Sequence, residues 1–147
     1  MEITIALPHT GELASPENIS YAAQEAERLG CATVWVLERL LRPIGGSMPD
    51  SYTNVYAPME TLAYVAAKTE RVRLGTSIMD ALFHTPVDLA RRFATLDHLS
   101  GGRVIAGLGQ GYAPEEFAAA NVPLSRRGAG FEEFIQAMIT AWGPDPV

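Results

Sequence analysis

The chain is poor in cysteine, in basic residues and in long apolar runs, and each shortage excludes a class of protein. Cys31 is the single cysteine among 147 residues, which excludes an internal disulfide and a cysteine metal cluster; we expect a buried, inert thiol there. Lys and Arg number 11 against 17 Asp and Glu, and the net charge of −6 argues against a nucleic-acid or anionic-membrane partner. No apolar run approaches the roughly 20 residues of a membrane span, and no basic leader precedes the first strand. We therefore expect a cytoplasmic protein.

Motifs for metal-dependent or hydrolytic catalysis are also missing from the sequence. It has no H-x-x-x-H pattern, no carboxylate–histidine spacing typical of a metal site and no G-x-S-x-G nucleophile motif. His98 lies in the last turn of a predicted helix, where a structural role is expected. Hydrophobic residues make up 48% of the chain and charged residues 19%, which is typical of a globular protein. We therefore expect one domain over residues 1–147, without a metal.

Apolar β-rich runs alternate with amphipathic helical patterns along the whole chain. Ser15-Pro16 and Thr85-Pro86 are typical helix starts, and Gly30 and Gly101-Gly102 are typical helix ends. Asp88 gives the second start a capping-box-like pattern, with Asp in place of the usual Glu or Gln. The predicted strands begin near Glu2, Ala32, Val72 and Val104, and the third is predicted to end at Ile78. The order β-α-β-α-β-α-β-α predicts a parallel α/β sheet. Two architectures fit this order: a small doubly wound sheet and half of an eight-fold barrel.

Residues 39–56 form a long predicted loop that leaves the carboxyl end of the second strand, where α/β folds bind ligands. Glu38 and Arg39 stand at its start, either as functional side chains or as an exposed ion pair. His9 ends the first strand and could face the same pocket. His84 precedes a predicted helix, either as a proton donor or polar ligand contact, or as a side chain that bonds local backbone.

The glycine-rich segment GLGQG at residues 107–111 invites comparison with a dinucleotide-binding loop. That fingerprint requires G-x-G-x-x-G after the first strand and an acidic residue about 20 positions later. Here the segment follows the fourth strand, and Tyr112 occupies the place of the third glycine. Two interpretations remain open: a tight turn between strand and helix, or a close approach of backbone to a flat ligand.

Four stretches that cover nearly the whole chain resemble one family. They read AERLGCATVWVLERL, ETLAYVAAKTERVRLGTSI, FHTPVDLARRFATLDHLSGGRVIAGLGQGY and GFEEFIQAMITAWGPDPV. Together they resemble the N-terminal half of bacterial luciferase-like monooxygenases, and more narrowly the branch that uses the deazaflavin coenzyme F420. The LSGGR-strand-GxGxG block, preceded by the TERxRLGT block, is highly characteristic of that family.

The resemblance implies a fold and a cofactor site. The fold would be a parallel (βα)4 half of a TIM barrel, with the cofactor at the carboxyl ends of the strands. The cofactor would be coenzyme F420, with FMN as the alternative. In the deazaflavin branch a bulge after the third strand contains a non-proline cis peptide that backs the ring. Ser77 and Ile78 are the matching residues here, and we expect the bulge and the cis peptide there.

The resemblance also implies roles for individual side chains. Glu38 and His84 would be catalytic, while Glu38, Gly109 and Tyr112 would join the bulge in binding the cofactor. Relatives often have Asp-His where this chain has Glu38-Arg39, so a carboxylate is kept and an imidazole is lost. Some relatives have an acidic residue where this chain has Tyr112, an aromatic that could stack or form hydrogen bonds.

The sequence leaves three hypotheses. The first is an F420- or flavin-dependent oxidoreductase or monooxygenase that transfers hydride with a small-molecule substrate. The second is a non-catalytic half-barrel that acts as an assembly module, and the third is a small doubly wound nucleotide-binding domain. Relatives continue into a second barrel half that this chain lacks. Because four strands leave open edges and an uncovered face, we expect a homo-oligomer or pairing with the missing half.

Overall fold

In the computed structural model, which describes residues 1–46 and 48–144, parallel strands pair in the order of the sequence. Strand β1 (Thr4–Ala6) pairs with β2 (Thr33–Leu37), and β2 pairs with β3 (Arg73–Asp80). Strand β3 then pairs with β4 (Val104–Ile105) and, further along, with β5 (Leu108–Gly109). A doubly wound sheet reverses its strand order at a switch point, and this sheet does not. The doubly wound alternative is therefore wrong, and the half-barrel order is the one observed.

Helices follow the strands as predicted. They are α1 (Pro16–Arg28), α2 (Pro58–Ala66), α3 (Pro86–Ser100), α4 (Pro114–Ala119) and α5 (Ala129–Ala141), with short 3-10 turns at Asp50–Tyr52, Ala81–Phe83 and Leu124–Arg126. None of the helices among the described residues has the length and apolar character needed to cross a bilayer.

The two predicted helix starts differ in their capping. At α1 the Ser15 hydroxyl accepts a hydrogen bond from the Asn18 N–H at 3.1 Å, as expected of an N-cap. At α3 the Thr85 side chain makes no capping bond, and Asp88 instead accepts from Arg91 at 2.7 Å. The capping-box-like pattern predicted for Thr85 and Asp88 is therefore wrong, because a cation one turn later competes for the carboxylate.

The sheet buries one face against the helices and leaves the other face open. Val34, Val36 and Leu74 point from the strands into the core, where they join buried helix side chains that include Ile19, Leu62, Leu89, Phe93 and Met138. The opposite face borders a cavity of about 500 Å³, lined by Ala6, Trp35, Thr76, Ser77, Ile105 and Gly107. This open inner face is what half of a barrel exposes. Cys31 packs against the core only in part, so the expected full burial of its thiol is wrong.

Between matched pairs of residues, strand β3 has one residue more than the strand on either side, and this extra residue produces a bulge. Along β2, Val36 pairs with Thr76 and Leu37 with Ile78, so the register passes over Ser77. The other neighbour is interrupted at the same level, since β4 pairs no further than Ile105 and β5 begins pairing at Leu108. The bulge expected at Ser77 and Ile78 is therefore present.

Thr76 fills the interruption between β4 and β5. Its hydroxyl donates to the Gly107 carbonyl oxygen and accepts from the Gly107 N–H, both at 2.9 Å. A Cβ at Gly107 would lie 1.9 Å from the Thr76 carbonyl oxygen. Only glycine therefore allows the fourth strand to approach β3 this closely beside the bulge.

Arg103, the arginine of the LSGGR segment, binds backbone at the carboxyl ends of two helices. It donates to the carbonyl oxygen of Ser100, the last residue of α3, at 2.7 Å and to that of Ala66, the last residue of α2, at 3.0 Å. It also donates to Thr69 O, Thr69 Oγ1 and Val72 O at 2.9–3.1 Å. A cation at these positions satisfies unpaired carbonyls and complements the negative helix ends. This characteristic block therefore has a structural role, holding α2, α3 and β3 together.

Candidate functional site

Polar and charged side chains converge at the carboxyl ends of β2 and β3. Glu38 and Arg39 follow β2, Asp80 ends β3, His84 follows the 3-10 turn after β3, and Glu116 lies in α4. We call these five residues the polar cluster. Parallel α/β folds bind ligands at this edge of the sheet, because loops there can change without altering the core.

Glu38 and His84 form a hydrogen-bonded pair within the polar cluster. His84 Nε2 lies 2.9 Å from Glu38 Oε1 and 3.1 Å from Oε2, while the Asp80 N–H donates to Oε2 at 2.8 Å. Because an ionised carboxylate only accepts, His84 Nε2 holds the proton of this bond. The side chains are 18% and 12% exposed, so the pair is largely desolvated yet reaches the surface. Such a pair can hold or pass on a proton.

Arg39 is buried between two carboxylates. Its Nη2 donates to Asp80 Oδ2 at 3.0 Å and its Nη1 to Glu116 Oε2 at 2.9 Å, and its side chain is only 6% exposed. The interpretation of Glu38 and Arg39 as an exposed ion pair is therefore wrong. Each of them binds other partners, and both are buried for the most part, because the long loop folds back against α4.

The Asp80 carboxyl has a pKa above its ordinary value. Burial raises the pKa of this carboxyl to about 6; Arg39 opposes the rise, Glu116 and Glu38 add to it, and His84 opposes it. Within the described residues Asp80 Oδ1 is also the one buried side-chain oxygen or nitrogen without a hydrogen-bond partner. Asp80 and Glu116 share the Arg39 guanidinium, and the Glu38 carboxylate lies close by, so a proton on Asp80 relieves the excess negative charge.

Ser77 and Ile78 lie beside this cluster, where β2 and β3 end. The Glu38 N–H donates to Ile78 O at 2.8 Å, and the Ser77 hydroxyl donates to Val36 O at 3.1 Å. All peptide bonds of the described residues are trans. The expected cis peptide at Ser77-Ile78 is therefore wrong for this structure: the bulge accommodates the extra residue by a register shift alone.

Gly109 and Tyr112 reach the same edge from the fourth strand. A Cβ at Gly109 would lie 2.8 Å from Ile78 Cγ2 and 3.6 Å from Asp80 Oδ1, so glycine is needed for this approach. The exposed Tyr112 ring lies over the Arg39 guanidinium, 4.9 Å from Cζ to the ring centre. Glu38, Ser77, Ile78, His84, Gly109 and Tyr112 are thus joined in one set of contacts.

The other two histidines lie outside this set. His9 is buried, its Nε2 accepts from the Leu37 N–H at 2.9 Å and its Nδ1 donates to Leu7 O at 2.9 Å. Its ring therefore extends the pairing of β1 and β2, and the expectation that it could face the pocket is wrong. His98 is exposed in the last turn of α3. Among the described residues no group of three or more His, Cys, Asp and Glu side chains is arranged to hold a metal ion.

Sequence reasoning missed Asp80 and Glu116 as members of the polar cluster. The third strand was predicted to end at Ile78, and it ends at Asp80 because the bulge lengthens it. A carboxylate directly after a β-rich run is the signal that could have identified Asp80. Glu116 lies in the first turn of α4, where acidic side chains are common, and no local pattern distinguishes it from the exposed Glu115.

A half-barrel with polar side chains gathered at the carboxyl ends of its strands defines a class of ligand-binding α/β protein. Within that class, the family model for luciferase-like monooxygenases matches residues 2–147, and the chain belongs to this family. The resemblance drawn from the sequence is thereby confirmed, as is the parallel half-TIM-barrel fold.

Individual relatives agree with this membership. An F420-dependent glucose-6-phosphate dehydrogenase of Amycolatopsis mediterranei is 33% identical over 144 residues, which cover 94% of this chain and 41% of the relative. The crystal structure of monooxygenase RslO1 from Streptomyces bottropensis matches 100% of this chain and 44% of its own, with 30% identity and a TM-score of 0.81. The oxygenating constituent of a Pseudomonas putida 3,6-diketocamphane monooxygenase in complex with FMN has a TM-score of 0.81 over 100% of this chain and 40% of its own. At 17% identity it shows the fold alone. The chain spans less than half the length of each.

Proposed function

We propose that this chain forms the ring-binding half of an F420-dependent oxidoreductase, with FMN as the alternative cofactor. F420 is supported by the dehydrogenase relative, which is named as F420-dependent. FMN is the alternative because a protein of the same fold was crystallised with it. The observation on which the proposal rests is the bulge at Ser77, which lies between the inner-face cavity and the polar cluster.

The inner-face cavity fits a flat aromatic ring. Its volume of about 500 Å³ lies within the range of roughly 300–1,000 Å³ that small-molecule sites occupy. Trp35, Ala6 and Ile105 give it largely apolar walls, while the Thr76 and Ser77 hydroxyls point to backbone partners rather than blocking it. An extended ring system can therefore lie along the inner face without separating the Thr76 and Ser77 hydroxyls from their backbone partners.

The bulge and the glycine of β5 would support that ring. Ile78 is 46% exposed and offers an apolar surface for stacking. Gly109 keeps this surface free, because any side chain there would collide with Ile78. We propose Ser77, Ile78, Glu38, Gly109 and Tyr112 as the cofactor-binding residues.

Glu38 and His84 would handle the proton of the reaction. When bound, a deazaflavin or flavin ring supplies hydride transfer, and the protein supplies position and proton exchange. The proton on His84 Nε2 is held by Glu38, and Glu38 is fixed by the Asp80 N–H. A partly exposed, hydrogen-bonded imidazole of this kind suits proton exchange with a small-molecule substrate.

The open inner face needs a second barrel half to cover it. We propose that the second barrel half, supplied by another copy of the chain or by further polypeptide, covers the inner face. The substrate would enter beside Tyr112, whose ring lies exposed at the mouth. If the chain proves to bind neither ring, the assembly-module hypothesis is the one that the open inner face continues to favour.

Equilibrium titration of the purified chain with F420 and, separately, with FMN tests the proposal. We expect a saturable change in ring absorbance or fluorescence with F420, and weaker or no change with FMN. Gly109→Val should abolish the change, because the side chain would displace Ile78. Gly143→Ala, beyond the end of α5, is the matched control. A chain that folds and changes neither spectrum would overturn the proposal.

A further inference from the structure

Glu116 connects three parts of the molecule without reaching the surface. It is fully buried in the first turn of α4. Its Oε1 accepts from the Leu40 N–H at 2.8 Å and from the Leu41 N–H at 3.4 Å, while its Oε2 accepts from Arg39 Nη1 at 2.9 Å. The start of the long loop is thereby fixed to α4 by one carboxylate. None of the proposed cofactor contacts includes Glu116.

Arg39 transmits the position of Glu116 to the proposed site. Its Nε donates to the Glu38 carbonyl oxygen at 2.9 Å, and its Nη2 holds Asp80 at 3.0 Å. Its Cζ lies 4.9 Å from the centre of the Tyr112 ring. One guanidinium therefore contacts the backbone of Glu38, the end of β3 and the aromatic ring at the mouth. Its orientation depends on the carboxylate at each end of the fork.

We infer that Glu116 is a positioning residue for the proposed ring site, acting through Arg39 to fix Glu38 and Tyr112. The inference rests on the proposed function for the ligand, but its geometry stands on the polar cluster alone. Loss of the Glu116 charge would free one end of the Arg39 fork. The loop start would lose its attachment to α4, and Tyr112 would lose its fixed support.

The same contacts predict an electrostatic signature that a merely structural residue would not give. The charged groups that face Asp80 are Glu38 and Arg39 after β2, His84 after the 3-10 turn and Glu116 from α4. The Glu116 charge contributes to the raised pKa of Asp80. Without that charge Arg39 would serve Asp80 alone, so the Asp80 pKa should fall.

The test compares Glu116→Gln with Glu115→Gln, the exposed neighbour in the same helical turn. Carboxyl ¹³C NMR of the ligand-free chain gives the Asp80 pKa, with Asp80→Asn for assignment, and F420 titration gives ring affinity. We expect E116Q to lower the Asp80 pKa by about one unit. We also expect it to weaken ring binding about 3- to 30-fold. E115Q should change neither.

The two readouts separate this inference from the proposed function. An unchanged Asp80 pKa in folded E116Q would overturn the coupling, whatever the ring does. A lowered pKa with wild-type ring affinity would overturn the positioning role. A wild-type chain that binds no ring would overturn the proposed function and, with it, the positioning of that ligand, while the Asp80 pKa would still report the coupling.

Should E116Q fail to fold, Glu116→Asp keeps the charge but shortens the side chain. We expect weakened ring binding with a near-native Asp80 pKa, and native ring binding would contradict the inference.

Discussion

At the scale of single residues, Arg39 determines whether the polar cluster can exist. Asp80 and Glu116 are both buried, and the Arg39 guanidinium is the cation that binds them. An ion pair taken out of water gives little net stability, but removing one partner leaves buried charge uncompensated. The polar cluster therefore adds little net stability as a whole, but removal of one charged partner should destabilise the fold.

Arg39→Ala should lower the free energy of unfolding by about 3–5 kcal/mol, because two buried carboxylates would lose their cation. Urea denaturation at neutral pH measures this. Arg91→Ala is the matched control, since Arg91 pairs with Asp88 on the exposed side of α3, and should change stability by less than about 0.5 kcal/mol. A loss no larger in R39A than in R91A would mean that the cluster is solvated.

Asp80 makes the stability of the chain fall as pH rises. Its folded-state pKa of about 6 lies above the ordinary value of 3.8, so in this window the folded chain retains a proton that the unfolded chain releases. Asp80→Asn cannot titrate, so its stability relative to wild type should increase from about pH 4 to about pH 7. Urea unfolding of both chains across this range measures the difference, and a constant difference would show that Asp80 titrates normally.

The sequence predicted those site residues that stand directly beside a predicted strand or helix boundary. Glu38 was identified because it follows a strand end and His84 because it precedes a predicted helix, and the structure joins them by a hydrogen bond. The partner of Arg39 was not predicted, since Glu116 lies 77 positions away and only the folded loop brings the two together. Such long-range pairs have no local sequence signal.

At the scale of elements, sequence patterns predicted the order and type of every helix that follows a strand. Proline at helix starts and glycine at helix ends are local steric signals, so they identify boundaries directly. The end of β3 was placed two residues early, because a bulge depends on pairing with both neighbours. The interruption between β4 and β5 was missed for the same reason.

Arg103 links the carboxyl end of α2 to the carboxyl end of α3. Arg103→Lys should lower the free energy of unfolding by about 1.5–3 kcal/mol, because an ammonium cannot reproduce the fork that binds both helix ends. Thermal or urea unfolding measures the loss. Arg126→Lys, in an exposed pair with Glu133, should be nearly neutral. Equal effects of the two changes would contradict this account of the LSGGR segment.

At the scale of the whole molecule, the open inner face is the main departure from a closed fold. Trp35 and Ile105 line it, and helices cover only the opposite face of the sheet. The chain also spans less than half of the relatives it matches. An apolar face bordered by unpaired strand edges favours association.

The isolated 147-residue chain should therefore associate with itself and bind the apolar dye ANS. Light scattering coupled to size exclusion should give a mass above the 15.9 kDa of one chain. Ile105→Glu, on the open face, should reduce both association and dye binding, whereas Ile139→Glu on the exposed side of α5 should change neither. A dye-free monomer would contradict the proposed pairing of barrel halves.

The most direct test of the central claim is to locate the bound ring by methyl NMR of isoleucine-labelled chain during titration with F420. Ile78 and Ile105 lie at the bulge and on the inner face, and Ile139 lies on α5, on the far side of the sheet. We expect saturable ring-current shifts of the Ile78 and Ile105 methyl signals and no shift of the Ile139 methyl signals. Binding that leaves Ile78 and Ile105 unshifted, or that shifts Ile139 alone, would contradict the claim that the inner face beside the bulge is the ring site.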